Sequence, residues 1–238
     1  MQAMQMLSKS QDVTADNLAN INTPGFKGNK LFYRMFKEQV NGQEITKSVP
    51  VSQVDLSQGI LEPTGNPFDM GINGDGFFKV EADGDTLLTR DGRFHLDQDG
   101  YLVNNQGAKV LGESGAIQLP EFFQNQGEGG ATAHLEITKN GTIKINGVQQ
   151  EKIQMVKVSD PAHLIRKGNT YFEVENEDYL SEEGTGMVQQ GYYEKGNVNP
   201  LNEMVDMMQN MQLFETQQRA MKTADEMLSK VTTRLSRF

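Results

Sequence analysis

The sequence predicts an α+β protein. Helices from its two ends pair as a coiled-coil-like arm, and a central antiparallel β-rich domain, a small sheet or barrel, lies between them in the chain. Three observations carry that expectation. Residues 1–21 and 200–238 are Met-rich and contain no glycine. Apolar residues recur in both stretches at three- and four-residue steps, the period of an amphipathic helix. The middle is instead punctuated by Asp-Gly and Asn-Gly pairs between short runs of β-forming residues.

At the N-terminus, Met4, Leu7, Thr14, Leu18 and Ile21 share one stripe, with Gln11 its polar exception. Asn22-Thr23-Pro24-Gly25 ends the helix, because proline forces its predecessor out of the helical region and glycine accepts the left-handed turn that follows. Residues 31–36, Leu-Phe-Tyr-Arg-Met-Phe, form an aromatic patch that reads as a short helix or an extended arm. Residues 42–67 lack a clear period and read as a connector, with short strands expected at 48–52 and 59–62.

From residue 69 the punctuation changes. Asp83-Gly84, Asp91-Gly92 and Asp99-Gly100 recur at eight-residue intervals. Such pairs supply the positive-φ residues of tight hairpins. Asn140-Gly141 and Asn146-Gly147 repeat the device. Strands are expected at 77–80, 87–90, 94–96, 101–103, 142–145, 153–158 and 170–174, and an exposed loop at 127–130. Asn199 is placed as the N-cap of the last helix, with Pro200 at its first position. That helix has room for 39 residues, roughly 58 Å. Its stripe is Phe214, Met221, Ala224, Leu228, Val231, Leu235 and Phe238, with Gln217 the exception. The expected organisation is 1–27 with the C-terminal helix as a helical domain, 28–70 as connector, 71–190 as the β-rich domain and 191–238 as the C-terminal block.

Composition excludes several functions. The formal net charge of -10 disfavours nucleic acid, which needs a basic patch to neutralise phosphates. There are no cysteines, so disulfides, thiolate catalysis and Cys-based zinc sites are out. No run approaches the roughly 18 apolar residues of a membrane span, and no charged start with an apolar block marks a cleavable signal peptide. His95, His134 and His163 are far apart, so no metal site is expected. Asp97-Gln98-Asp99-Gly100 fails as a calcium loop, since His95 and Gln106 stand where ligands are needed. Gly74-Asp75-Gly76 precedes no helix, and Glu182-Glu183 reads as a solvent-facing pair. No catalytic residue, cofactor or small-molecule substrate is expected.

One stretch is more specific. Asn17-Leu18-Ala19-Asn20-Ile21-Asn22-Thr23-Pro24-Gly25-Phe26-Lys27 resembles the N-terminal signature of the flagellar rod and hook family. Ile72-Asn73-Gly74-Asp75-Gly76-Phe77-Phe78, Thr89-Arg90-Asp91-Gly92-Arg93-Phe94 and Gly100-Tyr101-Leu102-Val103 resemble that family's middle β-domain. Gln190-Gly191-Tyr192-Tyr193-Glu194 and Asn197-Val198-Asn199 resemble its C-terminal block. The likeness spans the chain in order, and its length and small middle domain fit the proximal and distal rod proteins. The segment from Phe214 to Lys222 leans to the proximal type.

Members of the family carry a further turn or more of helix ahead of the position of Met1, whereas 16 residues precede Asn17 here. The resemblance implies a non-enzymatic subunit exported through the flagellar export apparatus. It would polymerise helically with itself and with other rod and hook proteins into a torque-bearing shaft. The expected assembly motif is Asn17, Leu18, Ala19, Asn20, Asn22, Thr23, Gly25, Phe26 and Lys27. The expected inter-subunit seam is Met204, Met207, Met208, Met211, Phe214, Met221, Leu228, Val231 and Leu235. A seam of that kind needs partner helices, and Met adapts to slightly inequivalent contacts. Two competing readings are a coiled-coil adaptor with a β-rich binding head and a β-domain hydrolase with helical arms.

Overall fold

A computed structural model describes residues 2–40, 43–120, 134–182 and 185–235. The chain divides into two compact units. One consists of Met1–Ala19, Asn29–Gln53 and Asn199–Phe238, and the other of Asn20–Gly28 and Val54–Val198. The chain therefore passes between them four times. Asn20–Gly28 belongs with the β unit, and its Asn20, Phe26 and Lys27 side chains are buried. The ribbon after it belongs with the helices. The loop expected at 127–130 lies outside the described residues.

In the helical unit, α1 (Gln2–Ala19) pairs with α2 (Pro200–Leu235). The pairing is antiparallel: Asn17 Nδ2 donates to Glu203 Oε1 at 3.1 Å, and Asn210 Nδ2 to Ser10 Oγ at 3.1 Å. Seven residues forward on one helix match seven back on the other. Asn199 Oδ1 accepts from the Leu201 and Asn202 amides at 3.0 and 3.3 Å, so the N-cap stands where the sequence puts it. The stretch expected as connector holds two 12-residue strands, β1 (Asn29–Val40) and β2 (Gln43–Val54), paired as a ribbon. Residues 31–36 are thus extended rather than helical. Phe32, Tyr33 and Met35 are exposed.

The β unit begins with β3 (Leu61–Pro63), β4 (Met70–Asn73), β5 (Phe77–Ala82) and β6 (Asp85–Thr89). It continues through β7 (Phe94–Leu96), β8 (Leu102–Asn104), β9 (Lys109–Gly112), β10 (Gly115–Ala116), β11 (Leu135–Ile137), β12 (Thr142–Ile145) and β13 (Val148–Lys152). Then come β14 (Met155–Val158), β15 (Leu164–Lys167), β16 (Tyr171–Val174), β17 (Leu180–Ser181), β18 (Met187–Gln190) and β19 (Tyr192–Glu194). The main sheet runs β15-β16-β6-β5-β9-β8-β7, with β14 on β5 and β17, and β10 on β9. Smaller antiparallel sheets are β11-β12-β13, β18-β4 and β19-β3.

Alternation along β5 sets the two cores, because successive strand residues face opposite sides. Phe78 joins the larger core with Phe94, Leu102, Val110 and Ile143, and its ring meets Phe94 edge-on at 5.3 Å. Phe77 joins the smaller core with Leu88, Val156 and Phe172, and meets Phe172 edge-on at 5.6 Å. Asp83-Gly84 closes the β5–β6 hairpin with φ of 54° and 88°, and Asn146-Gly147 closes β12–β13 with 51° and 84°. These are the mirror-image turns that such pairs favour. Asp91-Gly92 breaks the pattern. A Cβ on Gly92 would stand 1.6 Å from Met70 O, so that glycine serves a close backbone approach and not a turn.

Candidate assembly site

The signature turn follows α1 directly. Thr23 N–H donates to Asn20 O at 2.9 Å, Phe26 N–H to Thr23 O at 3.2 Å, and Gly25 turns with φ of 69°. This local folding delivers Phe26 and Lys27 into the β unit, where both are fully buried.

Lys27 meets a carboxylate from the far end of the chain. Its Nζ donates to Glu194 Oε1 at 2.7 Å and to Ser57 O at 2.8 Å. Gly59 N–H donates to the same Oε1 at 2.6 Å. Arg90 Nη1 donates to Glu194 Oε2 at 3.0 Å and to Ile72 O at 3.2 Å, and Nη2 to Gly74 O at 2.7 Å. The side chains of Lys27, Arg90 and Glu194 are only 1%, 3% and 1% exposed. Burial pushes the Lys27 ammonium below its ordinary value, against the pull of Glu194, and lowers Arg90 in the same way. Two cations on one anion thus form a buried knot in which Ser57 O, Ile72 O, Gly74 O and Gly59 N–H supply backbone partners and Arg90 Nε has none among the described residues, and such partners are what offsets the cost of holding charge out of water.

A second clamp comes from the β15–β16 hairpin. The Arg166 guanidinium lies 4.8 Å from the Phe26 ring centroid and 4.9 Å from that of Phe172, and donates to Lys27 O. Stacking between two rings uses the planar guanidinium as no lysine could. Asn169 Nδ2 donates to Asn20 Oδ1 at 2.8 Å. Asn197 Oδ1 accepts from Gly28 N–H at 2.7 Å, while its Nδ2 donates to Asp55 O at 2.8 Å and Ser57 O at 3.0 Å. The three segments by which the β unit connects to the rest of the chain, ending at Gly28, starting at Val54 and ending at Val198, are therefore tied together by Lys27, Glu194 and Asn197.

The remaining motif residues are distributed more simply. Asn17, buried in the helical unit, donates to Asn29 O at 2.9 Å and accepts from Asn29 N–H at 2.8 Å. Asn20 is buried, Leu18 and Thr23 are half-buried, and Ala19 and Asn22 are exposed.

On α2, Glu203, Met207, Asn210, Phe214 and Gln217 are half-buried, at steps of four and three, and include both residues bonded to α1. They form the stripe that α1 covers. Met204, Met208 and Met211 are 49%, 56% and 48% exposed, and Leu201, Met221 and Leu228 are exposed too. The side chains of Val231 and Leu235 lie outside the described residues. Leu201, Met204, Met208 and Met211 follow steps of three, four and three and make a second, outward stripe. Burial at Glu203, with Asp206 nearby, raises its carboxyl above the ordinary value despite the Asn17 hydrogen bond.

Sequence reasoning placed Arg90, Glu194 and Asn197 only within the blocks that carry the family resemblance, with no role assigned to any of them, and did not reach Arg166. A usable signal exists: Arg90 and Glu194 each stand as a charged residue closing a β-forming run, Leu87-Leu88-Thr89 and Tyr192-Tyr193. Among the described residues no group of three or more His, Asp or Glu is placed to hold a metal, and no helix is long and apolar enough to cross a membrane.

Three family models match parts of the chain. Residues 1–27 match the family described as flagella basal body rod protein. Residues 71–145 match the flagellar hook protein FlgE/F/G D1 domain, and residues 189–235 the flagellar basal body rod FlgEFG protein C-terminal region. The chain is 30% identical to the flagellar basal-body rod protein FlgG of Buchnera aphidicola (from Acyrthosiphon pisum), over 94% of this chain and 93% of the relative. It is 31% identical to FlgF of Mesorhizobium japonicum, over 90% and 86%, and 27% identical to FlgG of Bacillus subtilis, over 96% and 94%.

Proposed function

The chain belongs to the flagellar basal-body rod family, and from that premise we propose that it polymerises helically through the outward stripe of α2 and occupies the proximal part of the rod. As a member of the family it is a non-enzymatic structural subunit of the basal-body rod, acting in motility.

The observation that carries the assembly reading is the outward stripe of Leu201, Met204, Met208 and Met211, which the described residues leave 48–69% exposed. Each is about half exposed or more, so covering the four contributes roughly 1 kcal/mol apiece. Before the cost of association is subtracted, about 4 kcal/mol corresponds to a dissociation constant of about 1 mM, so a single contact is weaker than that. A single contact of that strength holds no dimer, but repeated contacts along a helical array add up. Heterologous contacts that do not close on themselves extend into filaments. The occupants are the same helices of neighbouring copies, with other rod and hook proteins at the two ends of the segment. Met suits such a role because its unbranched side chain tolerates slightly different neighbours. Fastening of three chain segments at one buried knot suits a subunit through which torque passes.

The proximal assignment rests on the segment from Phe214 to Lys222. Relatives of the FlgF and FlgG types are equally similar at about 30% identity, which keeps the distal position as the second reading. Labelling an epitope-tagged chain in isolated basal bodies distinguishes them. Label next to the inner-membrane ring supports the proximal position, label near the hook junction the distal one, and label off the rod axis contradicts both.

A further inference from the structure

The buried knot contains a complete ion pair before Lys27 is counted. Arg90 Nη1 and Glu194 Oε2 are 3.0 Å apart, Gly59 N–H occupies Glu194 Oε1, and Ile72 O and Gly74 O accept from Arg90 Nη1 and Nη2, with Arg90 Nε buried and without a hydrogen-bond partner among the described residues. One cation, one anion and their backbone partners all lie within residues 59–194. The two hydrophobic cores are likewise built from residues between Val54 and Val188.

Asn20–Gly28 is attached differently. Its one fully buried apolar side chain is Phe26. The rest of its attachment is polar: Lys27 to Ser57 and Glu194, Arg166 to Lys27 O, Asn169 to Asn20, and Asn197 to Gly28. Docking this segment also adds a second cation to a buried site that already balances. Its loss thus removes little from either core, and leaves behind a neutral pair.

We propose that Asn20–Gly28 is a strap that docks on, and releases from, a seat already formed by the folded sheet, so that the stretch leading from α1 detaches without unfolding the β unit. The Arg90–Glu194 pair is the seat and the Lys27 ammonium is the catch. Release exposes the signature's backbone donors at Gly25 and Gly28, and leaves Glu194 O and Asn197 Oδ1 as open acceptors on the seat. The inference concerns one unit of a single chain and does not depend on whether copies polymerise.

Native-state hydrogen exchange on the full-length chain tests it. The probes are the amides of Gly25 and Gly28, bonded to Glu194 O and Asn197 Oδ1, against the β5 and β6 ladder amides. The strap amides are expected to exchange at least about 100-fold faster than the sheet amides, through an opening insensitive to low urea. Exchange of both sets through one global opening overturns the proposal. In Ile143→Val, a change in the larger core and away from the strap, the sheet amides are expected to exchange severalfold faster with the strap opening unchanged, because that core is intact in the docked and the released states alike. Equal acceleration of strap and sheet contradicts the proposal, and if that variant does not fold the wild-type profile alone decides.

Discussion

Gly25 and Asp91 meet backbone to backbone. A Cβ on Gly25 would stand 2.2 Å from Asp91 N and 2.4 Å from Arg90 C, while Gly25 N–H donates to Glu194 O at 2.7 Å. Neither neighbour is a flexible side-chain end that can swing away. Gly25→Ala therefore meets a steric overlap and a left-handed backbone at once. The expected loss is about 3 kcal/mol, read from the urea midpoint of the β unit. Gly84→Ala is the matched control. Gly84 has φ of 88° with nothing within 4 Å of its Cβ position, so only the backbone penalty of about 1 kcal/mol is expected. Equal losses at the two positions would show that the contact with Asp91 contributes nothing.

Glu194→Gln leaves the Lys27 and Arg90 cations buried without an anion. Removing one side of a buried ion pair costs about 3–5 kcal/mol, because the remaining charge stays out of water. The melting temperature of the β unit should fall by about 10 °C at neutral pH. A change within 2 °C, an order-of-magnitude floor for one kcal/mol in a domain of this size, would mean that water reaches the knot.

The helix pair has its own pH dependence. Glu203 is held above the ordinary carboxylate value by burial and by Asp206, so the folded unit binds a proton more tightly than the unfolded chain. Its contribution to stability is complete below the unfolded carboxylate value and is lost as the pH rises through the raised one. Glu203→Gln keeps an acceptor for Asn17 and removes the charge. Helical melting followed at 222 nm should show the variant above the wild type at pH 7.5, and the two converging at pH 4. A variant less stable than the wild type at pH 7.5 would reverse the assignment.

Much of the fold is legible in local chemistry. Asn199 and Pro200 start α2 as caps do, and Asp83-Gly84 and Asn146-Gly147 take the positive φ values their hairpins need. Asp91-Gly92 carries the same letters for a different reason, the approach of Met70 O to Gly92. No dipeptide encodes a neighbour 22 residues away in sequence. Residues 29–54 hid a ribbon because both strands of its described part mix exposed polar and apolar residues, which erases the alternation that a one-sided sheet displays.

At the site, the signature was visible as a motif, but its chemistry was not. Lys27 and Glu194 are 167 residues apart and Arg90 and Glu194 are 104 apart, so their pairing exists only after the sheet has formed. On α2 the sequence marked Met207 and Met208 alike. The partner helix separates them, leaving Met207 on the covered stripe and Met208 outside.

Assembly through that outer stripe is tested most directly by sedimentation velocity with electron microscopy, on the purified full-length chain and a Met204→Ser, Met208→Ser, Met211→Ser variant, from micromolar to about 1 mM. The account predicts concentration-dependent filaments for the wild type, none for the variant, and the same β-unit melting for both. A wild type that stays monodisperse throughout, or a variant that polymerises equally well, would contradict it.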